Sequence, residues 1–325
     1  MDDSLPGPAS TPEVKSTRFY IYATVLAGAF APDALAAGAA GGSAVAWWAW
    51  PVALFFACFL LGIIAVPAGV GGGVLFVPIV AGFFPFHLDF VRGAGLLVAL
   101  SGALAAGPKL LEGGLASLRL ALPLGLVAST SSIAGAMLGL ALPTAAVQVA
   151  LGTAILGIVA VMASVKNSEH PKVGPPDGIA RALHMHGIFR DGATGRESAW
   201  TVHRTPQGLV LFVGIGFLAG MFGLGAGWAN LPALNLVMGV PLKVSAGTSS
   251  FILTLVDSSA AWIYINQGAV LPMIAAPSVI GMMLGARIGA RVLHVVRAAV
   301  IRRLVLALLL FAGLRALAKG LGIWN

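Results

Sequence analysis

Two stretches of this chain read almost as one: AGVGGGVLFVP at residues 68–78 and FGLGAGWANLP at residues 222–232. They align without a gap, Gly69 on Gly223, Gly71 on Gly225, Gly73 on Gly227 and Pro78 on Pro232, at an offset of 154 residues. The offset persists beyond them, pairing Gly62 with Gly216, Gly93 with Gly247, Gly114 with Gly268, Pro123 with Pro277 and Gly135 with Gly289. A glycine-rich chain often matches itself by chance. Gapless agreement that includes two proline pairs instead marks an internal duplication.

The background of both stretches decides the class. Of 325 residues, 58% are hydrophobic and 9% charged, and the mean hydropathy is +0.96. A soluble domain carries about 25% charged residues, so this chain has too few to cover a water-facing surface. Its apolar residues come in runs near the roughly 20 that a helix needs to cross a bilayer. The expected fold is all-α: a polytopic integral membrane protein. The net charge of +8 does not indicate nucleic acid, because the basic residues are scattered through connections and form no stripe with interleaved aromatics. They serve better as topology signals. Cys58, the single cysteine, has no disulfide or zinc partner and reads as a small buried hydrophobe.

Five apolar segments (47–66, 70–84, 91–107, 118–142, 145–163) precede a polar stretch, and five more follow it (209–221, 228–240, 244–265, 270–292, 300–317). This divides the chain into 1–43, 44–164 (first repeat), 165–207 (polar cytoplasmic loop) and 208–325 (second repeat). The N-terminal part begins with a polar, Pro-rich tail. It continues with a basic–apolar–small order that fits a secretory signal peptide and equally an uncleaved first helix. If the loop with Lys166, Lys172, Arg181, Arg190, Arg196 and Arg204 is cytoplasmic, then Lys109, Lys243, Arg291, Arg297, Arg302 and Arg303 also fall inside. The Gly69 motif then faces the cytoplasm and the Gly223 motif faces outward. The two copies form an inverted-topology repeat, with about five helical segments each. Such repeats underlie many secondary transporters, which hold substrate near the midplane between the halves.

The glycines lack the context of a phosphate loop, since no Gly-Lys-Ser/Thr ending or strand-to-helix turn accompanies them. In lipid, irregular backbone survives only where protein buries it or a cavity adjoins it. The short segments after both motifs, with Pro78 and Pro232, are the paired interrupted segments that point to a transporter's binding site. A half-helix starting after each cluster would turn free N–H groups toward an anion. Close helix packing is the competing reading, and it suits Gly281, Gly285 and Gly289 better in any case.

Taken with SAGTSSF (245–251), FVRGAGLLVALSGALAAGPKLLEGG (90–114) and LVDSSAAWIYINQGAVL (255–271), the two glycine–proline motifs resemble the sulfite exporter TauE/SafE family of membrane permeases. The resemblance covers both apolar blocks. It implies transport of small anions, among them sulfite, sulfonates and other organosulfur compounds, and suggests export. The halves differ in one respect: Thr248, Ser249 and Ser250 follow Gly247, whereas the aligned Gly93 is followed by Ala94, Gly95 and Leu96, leaving Ser101 as the nearest hydroxyl.

Other polar residues in the apolar blocks carry two readings each. Asn230 and Asn235 follow the second cluster and either donate amide hydrogens to an oxyanion or tie the carbonyls of a broken helix. Asp257 lies mid-segment, where an ionisable group is costly and is functional by default; proton coupling is its natural role and a structural partnership the alternative. Arg92, beside His87 and Asp89, either attracts anions at an outer vestibule or anchors to headgroups by snorkelling. His184-Met185-His186 has no third ligand nearby, so no metal is expected, and no cofactor is implied. An intramembrane enzyme would need a nucleophile with a base, or paired acids, and the apolar segments supply neither. The expected activity is a secondary carrier of a small anion in the bacterial inner membrane, with an anion channel or a non-transporting assembly protein as alternatives. A homo-oligomer is compatible with the sequence.

Overall fold

A backbone inside lipid has no water to bond to, so each apolar segment closes its hydrogen bonds within itself as a helix. The computed structural model describes residues 48–68, 71–112, 116–164, 174–190, 197–292 and 298–323. The N-terminal signal or first helix, together with Gly69 and Gly114, lies outside these described residues. The first half contains α1 (Ala49–Ala68), α2 (Gly72–Phe83), α3 (Leu88–Glu112), α4 (Leu118–Ala141) and α5 (Thr144–Ser164). A short α6 (Gly178–Ala182) and two antiparallel strands, β1 (His186–Arg190) and β2 (Glu197–Thr201), follow. The second half contains α7 (Thr205–Phe222), α8 (Gly227–Pro232) with a π-helical turn at Ala233–Val237, α9 (Leu242–Asn266), α10 (Pro272–Val292) and α11 (Ala298–Gly320). Among the described residues, α4, α5, α7 and the Leu88–Ala105 part of α3 are long and apolar enough to cross a membrane. Large apolar side chains point outward along them, as with Leu126 at 61% and Val210 at 73% exposure. Water would penalise that surface; lipid does not.

The offset of 154 found in the sequence recurs in the helix boundaries. It carries Leu88–Glu112 onto Leu242–Asn266, and the starts of α4 and α5 onto those of α10 and α11. The packing partners exchange in the same way. Helix α1 lies on α10 as α7 lies on α4, and α3 touches α10 as α9 touches α4. Small residues permit the close approach: Gly62 sits on the Met282 backbone, and its counterpart Gly216 sits on the backbone of Ala128.

Contact order along each pair gives the helix directions. Gly281 and Gly285 meet Phe55 and Phe59, so α1 and α10 run parallel. Gly216 and Gly220 meet Ala128 and Ser132, so α4 and α7 do too. The counterpart helices behave oppositely. Gly152 meets Leu317 and Gly313 meets Ile155, making α5 and α11 antiparallel. On α3, Arg92 is over Tyr264, Leu96 clusters with Ala260, and Ala99 with Leu253, so α3 and α9 also run antiparallel.

The polar loop between the repeats is folded where it is described. Trp200, Met185 and Val202 are buried with Phe212 and Met238 of the second half. Asp177 caps α6 through the Ala180 N–H at 2.8 Å and takes the Thr205 N–H at 2.6 Å and hydroxyl at 2.9 Å, fastening the start of α7. Partial desolvation works against the charge of Asp177, but the bonds from Ala180 and Thr205 and the nearby His203 outweigh it and hold its carboxyl below the usual range. The His203 N–H reaches the Met238 carbonyl at 3.2 Å, so the ribbon is bonded to the end of the π-helical turn.

Candidate functional site

Two helix breaks meet where α3 crosses α9. In the first half α2 begins at Gly72, preceded by Gly71 at φ 79° with no side-chain cap. In the second, α7 ends at Gly223 and α8 begins at Gly227, with Gly225 at φ 72° in the position matching Gly71. A methyl group built on Gly71 would lie 3.8 Å from the Gly227 Cα, and one on Gly73 would lie 2.7 Å from the Leu224 carbonyl. The two glycine motifs are therefore in mutual contact, and a side chain at Gly73 would push them apart. Ala99 of α3 and Leu253 and Asp257 of α9 close the junction.

The breaks are not equivalent. Helix α2 is a 12-residue helix containing Pro78, whereas α8 is six residues long and ends at Pro232. Pro232 has no N–H to offer the Trp228 carbonyl, and the chain widens into the π-helical turn. Here Asn235 has its work assigned: its amide donates to the Val240 carbonyl at 2.8 Å, and Ser245 donates to the same oxygen at 3.1 Å. Asn230 is different. It is fully buried, and neither amide atom has a hydrogen-bond partner; the buried Trp228 Nε1 is also unpaired.

Asp257 is fully buried with both carboxylate oxygens unpaired. A methyl on Gly225 would come within 3.1 Å of its Oδ2, so the carboxyl faces the second break. Such a group is costly to keep, and with Asn230 and Trp228 it makes a cluster of buried polar side chains without partners beside the second break. The hydroxyl set is dispersed among local duties. Thr248 Oγ1 accepts the Ser117 N–H at 3.1 Å, Ser250 donates to Ala246 in its own helix, and Ser101 donates to Val98 in its own. Ser249 is buried without a comparable tie to a neighbouring element.

Arg92, expected either at an outer vestibule or anchored to headgroups, is buried among the helices. Its side chain is 1% exposed. It donates to the Met221 carbonyl at 2.8 Å and the Gly139 carbonyl at 3.1 Å, and it pairs with Asp89. These carbonyls are near the C-terminal ends of α7 and α4, where helix acceptors lack donors and the dipole favours a cation. Tyr264, which sequence reasoning passed over, donates its hydroxyl to Gly220 at 3.1 Å in the same place. Arg92 and Tyr264 thus fix the helix end from which the second break departs. Outside this cap lies a cleft of about 550 Å³ lined by His87, Asp89, Phe90, Leu140, Gln267, Gly268 and Ala269. Among the described residues, no three His, Cys, Asp or Glu side chains gather as metal ligands.

The helical, membrane-type character of the chain agrees with comparison to known proteins. The family model described as Sulfite exporter TauE/SafE matches residues 54–316. The chain belongs to that family. It is also similar to the "Probable membrane transporter protein YunE" of Bacillus subtilis (strain 168), with 26% identity over 136 residues, 42% of this chain and 50% of the relative. The chain therefore matches about half the length of that curated relative. No solved structure matches it. As a TauE/SafE member with several helices long and apolar enough to cross a bilayer, the protein is a multi-pass membrane protein.

Proposed function

We propose that the protein is a secondary carrier that exports a small anion, sulfite, a sulfonate or another organosulfur compound, across the bacterial inner membrane by alternating access between two inverted halves. The observation that carries this reading is the junction itself: two matched breaks in contact at the crossing of counterpart helices, beside a buried carboxyl with no partner. The antiparallel courses of α3 and α9, and of α5 and α11, support the inverted arrangement. A helix and its copy running in opposite directions are what halves inserted upside down relative to each other would give.

In this mechanism the backbone N–H groups at the start of α2 attract the anion, since the first turn of a helix leaves donors unsatisfied and carries a partial positive charge. Asn230 supplies an amide donor. Asp257 carries the coupled proton, taking it up when the break opens to one side and releasing it when it opens to the other. Rocking of one half against the other exchanges the access path around the fixed site.

Purified protein in proteoliposomes, assayed for uptake and efflux of sulfite, sulfonates and carboxylates under imposed proton gradients, tests the proposal. Saturable flux that responds to the gradient is expected. No flux of any anion would return the glycines to a packing role, and flux without saturation would favour a channel.

A further inference from the structure

The charge inventory of the junction limits what can occupy it. Among the described residues, Arg92 and Asp257 are the buried side chains of charged type. Arg92 is engaged through both terminal nitrogens, with Met221, Gly139 and the Asp89 carboxylate, and its Nε–H has no partner. Among the described residues, no buried cation therefore stands free of such contacts to meet a substrate at the glycine breaks. What remains there is neutral: the Asn230 amide and the Trp228 indole N–H, both buried and unpaired. To these the start of α2 adds uncapped N–H groups, equivalent to roughly half a positive charge.

The first half cannot make up the difference. At the positions matching Trp228, Asn230 and Asp257 it has Val74, Phe76 and Ala103, at the offset of 154. Asp257 itself brings a negative charge unless it holds a proton. Gly225 of the second break turns toward it, and among the described residues no hydrogen-bond partner reaches either oxygen. A half charge and neutral donors can balance one negative charge in a desolvated site, but a second would be left without a counter-ion at high cost.

We propose that the junction passes its cargo only as a monoanion bearing hydrogen-bond acceptors, and that it excludes dianions by charge rather than by size. This rests on the transport reading above and names the ionic form within it. A permanently monovalent sulfonate and the singly protonated form of sulfite both meet the requirement. Sulfate, close to them in size, does not.

The test uses the full chain in proteoliposomes with three labelled probes: methanesulfonate as a fixed monoanion, sulfate as a fixed dianion, and sulfite, whose charge is set by pH. Methanesulfonate flux, or sulfite flux that rises with the monoanion fraction, should exceed sulfate flux by at least about tenfold. Dividing sulfite flux by methanesulfonate flux at each pH removes the protein's own titration, Asp257 included. Movement of methanesulfonate alone assigns the organic sulfonates, and movement of sulfite following its monoanion assigns the inorganic ion; either upholds the proposal. A sulfate flux within tenfold of the better monoanion, or sulfite flux following the dianion, overturns it while leaving transport intact. Absence of flux for all three overturns the transport reading and this inference with it.

Discussion

Replacement of Arg92 by methionine, which keeps much of the side chain's length and removes every donor, separates a buried cap from a surface anchor. The substitution strips the Met221 and Gly139 carbonyls of a charged donor at 2.8 and 3.1 Å. Hydrogen bonds to charged groups contribute about 1.5–3 kcal/mol, and a cation at a helix C-terminus about 0.3–1 kcal/mol. Because these contributions overlap, the expected loss is about 3–5 kcal/mol, the range for removing one partner of a buried pair. An arginine snorkelling to the interface would cost less than about 0.5 kcal/mol. Asp89→Asn is the informative companion, because Asp89 is 27% exposed and water can replace its contribution; about 1 kcal/mol is expected. Arg92→Lys keeps the charge but not the fork, and should fall between. Reversible unfolding in mixed micelles, followed by tryptophan fluorescence, supplies the free energies. An Arg92→Met variant within about 0.5 kcal/mol of the parent refutes the cap, and an Asp89→Asn loss equal to that of Arg92→Met shifts the effect from the carbonyls to the ion pair.

Further outcomes are open to direct measurement. Gly223→Ala should destabilise the protein by about 2–4 kcal/mol, combining the left-handed backbone at φ 68° with a methyl 2.7 Å from the Arg92 Cα. Gly214→Ala, where a methyl meets nothing within 4 Å, should be neutral or slightly stabilising; heating in detergent and measuring the dispersed fraction ranks the two. Asp257→Asn should preserve folding while removing the response of flux to an imposed proton gradient, and an unchanged response eliminates Asp257 as the coupler. The carboxyl of Asp177 is held below its usual range in the folded state. Its stabilisation is therefore present above the unfolded value near about 3.9 and lost as pH falls through the folded one. Limited proteolysis of the ribbon should accelerate there in the parent but not in Asp177→Asn. Single cysteines at Ala116 and Gly268, in a Cys58→Ser background, should react with impermeant reagents from opposite sides; labelling from the same side removes the inverted topology.

Much of the architecture was legible because lipid leaves the backbone so few choices. Apolar runs had to be helices, glycine with proline had to interrupt them, and duplication left its offset in both. The contact of Gly71 with Gly227 follows the same logic, since paired interruptions need each other's company to be buried. Arg92 was harder. A helix C-terminus advertises no side-chain signature, so nothing in the sequence says that Met221 and Gly139 will present carbonyls to it. One clue existed: the copy has Ala246 at the matching position, and an arginine without a counterpart, three residues from Asp89, invites a local role. Asn235 and Asn230 are indistinguishable in sequence. Only the π-helical turn decides that Asn235 closes backbone while Asn230 keeps its amide unspent. The ribbon escaped notice because its strands are short and its burial depends on Phe212 and Met238, which lie beyond it in the chain.

That ribbon has a use beyond covering a helix end. Joined to α7 through Asp177 and to the π-helical turn through His203, it has the fastenings of a pointer rather than of a tether. Displacement of the second half would be carried outward to Ile188, which is 71% exposed. A fluorophore there would make turnover visible in single molecules, at a site well separated in the chain from the two glycine breaks.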